Sequence, residues 1–471
     1  MPAQIPDIPK FYQKRFMPMR QARLFPLLLA LLAPLSGLAE TFERRLANGL
    51  RIIVKEDHRA PTVAHMVWYG AGSMDETNGR TGVAHVLEHM MFKGTPTAGA
   101  GEFSRRVAAA GGRDNAFTSR DYTAYFQQVP KQQLSEMMQL EADRMRHLTL
   151  DASEFVQELK VVMEERRLRT DDRPQSLLFE QLTAVAFQTH PYRVPIIGWM
   201  NDLENLTPAD AREWYDRWYA PNNAYVVVVG DVDHQAVFQL AEQHYSVVEA
   251  RQLPVRKPQD EPPQAGIRRL RVKAPAELPV LMMAYKAPVI RDVEHDVDPY
   301  ALEMLAAVLA GHDAARFSKH LVRQQRLAVE ATASYDSTAR GPGIFYLYGS
   351  PSAGKTAAEL EAGLRAEVAD VQQHGVAADE LTRAKAQLIA GEIYKLDSMF
   401  AQAMEIGQLE SVGIPYALNR RILDKLQAVT AEQIQAVAVT YFRDQQLTVA
   451  ELEPQALPQA PPQRSPSAAR H

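Results

Sequence analysis

The sequence has no cysteine among its 471 residues. That absence excludes disulfides, thiolate metal sites and thiol catalysis. No block of Lys and Arg forms a basic stripe, and the formal charge is −5, so nucleic acid is not an expected partner. Beyond residue 39 no stretch is long and apolar enough to read as a transmembrane helix. What is there is 46% hydrophobic and 23% charged residues, the composition of a folded chain with room for two or three domains.

The N-terminus reads as a processing segment. An apolar run from Leu24 to Leu35 follows Arg20 and Arg23 and precedes small residues ahead of Glu40. That is the order of a secretory signal, with a cut after Ala39. Residues 1–39 are therefore expected to be a signal peptide, and the location periplasmic or secreted. Lys10, Lys14, Arg15, Arg20 and Arg23 face only Asp7. A mitochondrial presequence and a matrix location are the alternative reading. The long stretch before Met17 makes Met17 and Met19 alternative starts.

Downstream, NGLRIIVKED and PTVAHMVWYGAGS read as strands. Helical pattern continues from Thr81 to Lys93, with Gly94 placed as a stop, and again from Gly101 to Ala110. GGRDNAFTSRDYTAYFQQVP has the turn residues and alternation of a hairpin. Amphipathic stretches run from Lys131 to His147 and from Asp151 to Arg169. TPADAREWYDRWY, with a Thr cap and Pro at the first helical position, leads into the strand AYVVVVGDVD. RQLPVRKPQDEPPQAG is rich in Pro and charge, as a linker is. Beyond it a strand, LPVLMMAYKAP, and a helix from Asp298 to Ala310 return to the same kinds of element. TAEQIQAVAVTYF and LTVAELE repeat the helix-then-strand ending, with Thr430 and Gln433 as a capping box. This order predicts two similar halves, 40–249 and 267–453, joined by a linker at 250–266. The Pro, Gln and Ser-rich segment 454–471 is expected to be a disordered tail.

The chemistry concentrates in HVLEHMMFKGT, His85 to Thr95. On a helix, His85 and His89 project from one face, with Glu88 in the same stripe. Two imidazoles can fill two of the four positions of a zinc ion, and the glutamate can hold a water. The pattern H-x-x-E-H is the inverse of the commoner H-E-x-x-H. So short a pattern, taken alone, also fits an ordinary helix with two histidines. Without cysteine, a third ligand has to be His, Asp or Glu. SEFVQELKVVMEERRLRTDD reads as a helix in which Glu158 and Glu165 share a face, seven apart. Glu164 points about 100° away from Glu165. Spacing alone does not choose between Glu164 and Glu165, and exposed helices often carry such glutamates as solvated charges.

HVLEHMMFKGT, GGRDNAFTSRDYTAYF, LKVVMEERRLRTDDRP and HPYRVPIIG together, in this order, resemble blocks of the pitrilysin family of inverted-motif zinc proteases. The resemblance is to the branch that contains mitochondrial processing peptidases and bacterial periplasmic homologues. The resemblance runs from Glu40 to Leu452. It implies that His85, His89 and Glu165 hold one zinc ion per chain and that Glu88 is the general base. It implies that Glu158 supports the site, and that Asn115 and Ala116 lie on an edge strand that pairs with peptide substrates. The implied fold is α+β. Each half is an antiparallel sheet with helices on one face, and the halves form a clam-like chamber. The implied activity is that of a zinc metalloendopeptidase. A catalytically silent structural subunit of the same fold is the alternative.

The second half has no H-x-x-E-H, as is common in the family. Family members also use an Arg and a Tyr from a second-half domain, often on a partner chain, to bind the substrate carbonyl. GIFYLYGSPSAGKTAAELE contains no Arg, and Arg340 lies out of register. The expected partner is therefore a homologous metal-less subunit, or a second copy as a homodimer. Within that stretch GSPSAGKT, Gly349 to Thr356, fits the phosphate-loop pattern, with Lys355 and Thr356 as its functional residues. GIFYLYG is not the all-apolar run of a buried parallel strand, and ATP is scarce outside the cell. Nucleotide is not an expected ligand.

Overall fold

The computed structural model describes residues 41–457. The expected signal peptide and residues 458–471 of the expected tail lie outside the described residues. The strands are β1 (Thr41–Arg45), β2 (Arg51–Glu56), β3 (Thr62–Tyr69), β4 (Arg113–Thr118), β5 (Thr123–Pro130), β6 (Ala224–Gly230), β7 (Arg268–Pro275), β8 (Val280–Ala287), β9 (Ala328–Tyr335), β10 (Gly343–Pro351) and β11 (Leu447–Gln455). The helices of the first part are α1 (Val83–Met90), α2 (Glu102–Ala109), α3 (Leu134–His147), α4 (Ala152–Arg166), α5 (Pro174–Ala186), α6 (Met200–Leu203), α7 (Pro208–Trp218) and α8 (His234–Tyr245). After them come α9 (Asp298–Ala310), α10 (Ala357–His374), α11 (Ala378–Lys395), α12 (Met399–Ser411), α13 (Asn419–Ala428) and α14 (Ala431–Tyr441).

These elements form two compact units. The first comprises residues 41–161, 196–257 and 393–417. Its sheet has the order β1-β2-β6-β3-β5-β4, antiparallel except for the β2–β6 pair. The second unit comprises residues 162–195, 258–392 and 418–457. Its sheet has the order β7-β11-β8-β10-β9, antiparallel except for β7–β11. Setting β1 aside, each sheet places its first strand beside its last, then its second, fourth and third. This shared topology matches the expectation of two α+β halves, and each sheet adds one parallel pair to it.

In the first sheet, the run AYVVVVG of β6 is buried along its whole length. A strand can be apolar on both faces only when both are covered. On one face Ala64, Met66 and Trp68 of β3 join Ile53, Val227 and Val229 in a cluster closed by Ala403 and Ile406 of α12. Full burial of Met66 or Ile406 is worth on the order of 2 kcal/mol. On the other face His65 reaches Gln127 at 2.7 Å and the Tyr245 hydroxyl of α8 at 3.2 Å. Gln127 in turn donates to Glu141 of α3 at 2.6 Å. Helices therefore cover both faces of this sheet, α12 on one and α3 and α8 on the other.

The units do not respect the sequence boundaries at 249 and 267. Residues 162–195 fold with the second unit, where α5 packs on β7, β8 and β11. Residues 393–417 fold with the first, where α12 packs on β3 and β6. The apolar face of each sheet is covered by a helix remote in sequence, and apolar periodicity does not record which partner a face meets.

The stretch 250–266 carries no helix or strand, yet it is tied down. Glu261 accepts hydrogen bonds from the backbone N–H groups of Gln188 (2.8 Å), Thr189 (2.9 Å) and His190 (3.1 Å), and from Lys286 Nζ at 2.6 Å. At the other end, β11 runs on to Gln455, two residues into the expected tail.

Candidate active site on helices α1 and α4

All eight residues of α1 are buried, including His85, Glu88 and His89. Three ionisable side chains inside one short helix are costly unless they are partnered, and such costs concentrate at functional sites. The start of the helix is held by remote carboxylates. Glu76 accepts from the backbone N–H groups of Gly82 (2.9 Å) and Ala84 (2.8 Å). Asp202 accepts from the backbone N–H groups of Gly79 (3.1 Å) and Thr81 (3.2 Å) and from the Thr81 hydroxyl (2.6 Å). Burial pushes the Glu76 carboxyl up to about 8, against those two backbone donors. Past the end of α1, Gly94 has φ 108°, and a Cβ there would lie 2.7 Å from the Ala98 carbonyl oxygen. Only glycine fits that turn.

Helix α4 runs alongside. Glu158 Oε2 lies 3.0 Å from His89 Nδ1, and Lys93 pairs with the other oxygen of the same carboxylate. Burial raises the Glu158 carboxyl, but the His89 and Lys93 contacts outweigh it and hold it below the ordinary value. Because α4 is one continuous helix, docking at Glu158 also places the residues two turns further on. Glu165 is 7% exposed there, while the side chain of Glu164 is 62% exposed and pairs with Arg167. Burial therefore distinguishes the two adjacent glutamates that spacing left equivalent. Just past α4 a π-helical stretch, Arg167–Asp171, brings Arg169 back to Glu165 at 2.7 Å.

His85, His89 and Glu165 each offer a ligand atom, and these atoms lie within 4.8 Å of one another. The two imidazole rings are 4.8 Å apart and nearly perpendicular. A tetrahedral zinc with bonds of about 2.0–2.2 Å holds its ligand atoms roughly 3.4 Å apart. Two neutral nitrogens and one carboxylate are a catalytic zinc set, so the donors fit that ion.

Asn115 and Ala116 lie on β4, the outermost strand of its sheet. The Ala116 N–H donates to Asn115 Oδ1 at 3.0 Å, and Ala116 stands opposite Tyr125 of β5. Two residues further on, Thr118 donates its hydroxyl to Glu88 Oε2 at 2.6 Å, and both residues are fully buried. Sequence reasoning did not single out Thr118. Its only sequence signal is the alternation that puts it on the same face of β4 as Ala116.

The insulinase (peptidase family M16) description matches residues 51–198, and the peptidase M16 inactive domain matches residues 205–388. The zinc protease PqqE of Helicobacter pylori is 32% identical over 422 residues, covering 87% of this chain and 92% of the relative. The chain belongs to the M16 peptidase family. An uncharacterized zinc protease of Bacillus subtilis, YmxG, is 27% identical over 397 residues, covering 84% of this M16 chain and 94% of the relative. The crystal structure of a protease from Helicobacter pylori superposes with a TM-score of 0.84 at 29% identity, covering 88% of this chain and all of the other.

His85, Glu88, His89, Asn115, Ala116, Glu158 and Glu165 all fall within the 51–198 match. In the second unit α9 is the helix that follows β8, as α1 follows β3 in the first. It carries Asp298 and Glu303 and no histidine. The GSPSAGKT stretch starts in β10, which is antiparallel to both of its neighbours. Lys355 there pairs with Glu359 at 3.0 Å, and Thr356 caps α10.

Proposed function

We propose that this chain is a zinc-dependent endopeptidase acting on extended or unfolded peptide segments. The observation that carries the reading is the buried cluster of His85, His89 and Glu165 with Glu88 between the two histidines in sequence. Zinc, when bound, supplies a Lewis acid that polarises the scissile carbonyl and makes a water acidic near neutral pH. His85, His89 and Glu165 hold the ion, one per chain. Glu88 takes the proton of the attacking water and passes it to the leaving amine. Glu158 fixes the His89 ring through Nδ1. The outer edge of β4, at Asn115 and Ala116, receives the peptide as an added strand, which selects extended backbone more than side-chain identity.

The chain reads as an exported protein because of its N-terminal leader pattern. The absence of an Arg from β10 supports a homologous metal-less subunit, or a second copy, as the group that completes carbonyl binding. The test is metal analysis of the purified chain together with a peptide assay of Glu88→Gln. The reading expects about one zinc per chain in both proteins, with cleavage lost in the variant and in chelator-treated wild type. A purified chain without zinc, or equal cleavage by the variant, overturns it and leaves the silent-subunit reading.

A further inference from the structure

Thr118 is the last residue of β4. Its hydroxyl is fully buried and 2.6 Å from Glu88 Oε2. Three constraints fix where that hydroxyl sits. Along the strand, Thr118 is paired with Thr123 of β5. Thr123 in turn donates to the Ala71 carbonyl at 3.0 Å. Beyond the strand, the hairpin turn is pinned: the Ser119 carbonyl accepts from Ser73 N–H at 3.0 Å and the Arg120 carbonyl from Met74 N–H at 2.9 Å. The approach there is so close that a Cβ on Gly72 would lie 2.4 Å from the Ser119 oxygen. One end of β4 is therefore rigidly placed, and its hydroxyl holds one carboxylate oxygen of Glu88.

Among the described residues, no strand pairs with the outer edge of β4. A peptide added there would order the same strand whose final residue holds Glu88. A short hydroxyl-to-carboxylate bond between two buried groups is also among the stronger hydrogen bonds.

We propose that Thr118 is a positioning residue for Glu88 and the physical link between the peptide-receiving edge of β4 and the base. The inference rests on the peptidase reading of the site. It asks for nothing from Thr118 in holding metal or peptide. Its loss should therefore leave zinc content and peptide affinity intact while turnover falls.

The experiment compares wild type with Thr118→Val, Thr118→Ala and Thr118→Ser. Zinc per chain is measured by mass spectrometry. Affinity is measured with a fluorescent unstructured peptide on chelator-treated protein, and kcat and KM on zinc-loaded protein. Val and Ala are expected to keep zinc and peptide affinity within about threefold of wild type and to lose at least tenfold in kcat with little change in KM. Ser, which keeps the hydroxyl, is expected to recover kcat to within about threefold. If Val does not fold, the Ala and Ser pair carries the comparison. Unchanged kcat in Val or Ala overturns the proposal. So does a loss of zinc or peptide affinity that matches the loss of kcat, or a failure of Ser to recover turnover. A wild-type chain that binds no zinc and cleaves no peptide overturns the peptidase reading itself, and this inference with it.

Discussion

Nδ1 of His89 lies 3.0 Å from Oε2 of Glu158. With Nδ1 donating to the carboxylate, the lone pair of the ring is left on Nε2, the nitrogen then able to take up a metal. Such outer partners typically contribute a factor of roughly 10–100 to metal affinity. Glu158→Gln should therefore weaken zinc binding by about that factor without abolishing it. A competition titration against a chelating dye checks this, and unchanged affinity would show that the contact does not orient the ring.

The two adjacent glutamates should behave oppositely. Glu165 is buried beside the histidines, and Glu164 faces solvent. Glu165→Gln should lose zinc on gel filtration, with a drop in affinity beyond the roughly 100-fold upper range of an outer partner. Glu164→Gln should retain it. Equal retention by both variants would remove Glu165 from the ligand set.

Gly407 sits inside α12, where alanine is ordinarily better by about 1 kcal/mol. Here a Cβ would lie 2.0 Å from the Trp68 ring. Gly407→Ala should destabilise the protein by about 1–3 kcal/mol in spite of its helix propensity. Urea unfolding monitored by Trp fluorescence reads the difference. A stabilised variant would mean that Trp68 and α12 separate at little cost.

Glu261 gives a pH prediction. Burial raises its carboxyl, but Lys286 and the backbone donors at Thr189, Gln188 and His190 outweigh that and hold it down at about 2, against an ordinary value of 4.5. A folded-state value below the unfolded one contributes stability that is fully present above about 4.5 and is lost as pH falls toward 2. Glu261→Gln should be less stable than wild type at pH 7, by on the order of 2 kcal/mol. The gap should close between pH 4.5 and 2. Denaturant midpoints across that range check it, and a gap independent of pH would assign the effect to shape rather than charge.

Much of this protein was legible in its order of residues. The 3.6-residue period put His85, Glu88 and His89 on one helix face, and the run AYVVVVG announced a strand. The helix from Asp298 to Ala310 was readable to the residue, and the recurrence of helix and strand types pointed to two halves. These features are local, and local backbone geometry is set by nearest neighbours. What only the tertiary structure decided lies between residues distant along the chain. It separated Glu165 from Glu164 by burial, and it brought Thr118 to Glu88 across 30 positions. It sent α12 back to the first sheet, where Gln402 bonds Asp57 across 345 positions. It also turned an apparent linker into an anchored segment through Glu261. Periodicity tells a face that it must be buried, but the partner is chosen by shape and by which polar groups can be satisfied together, and neither is written in any one stretch of sequence.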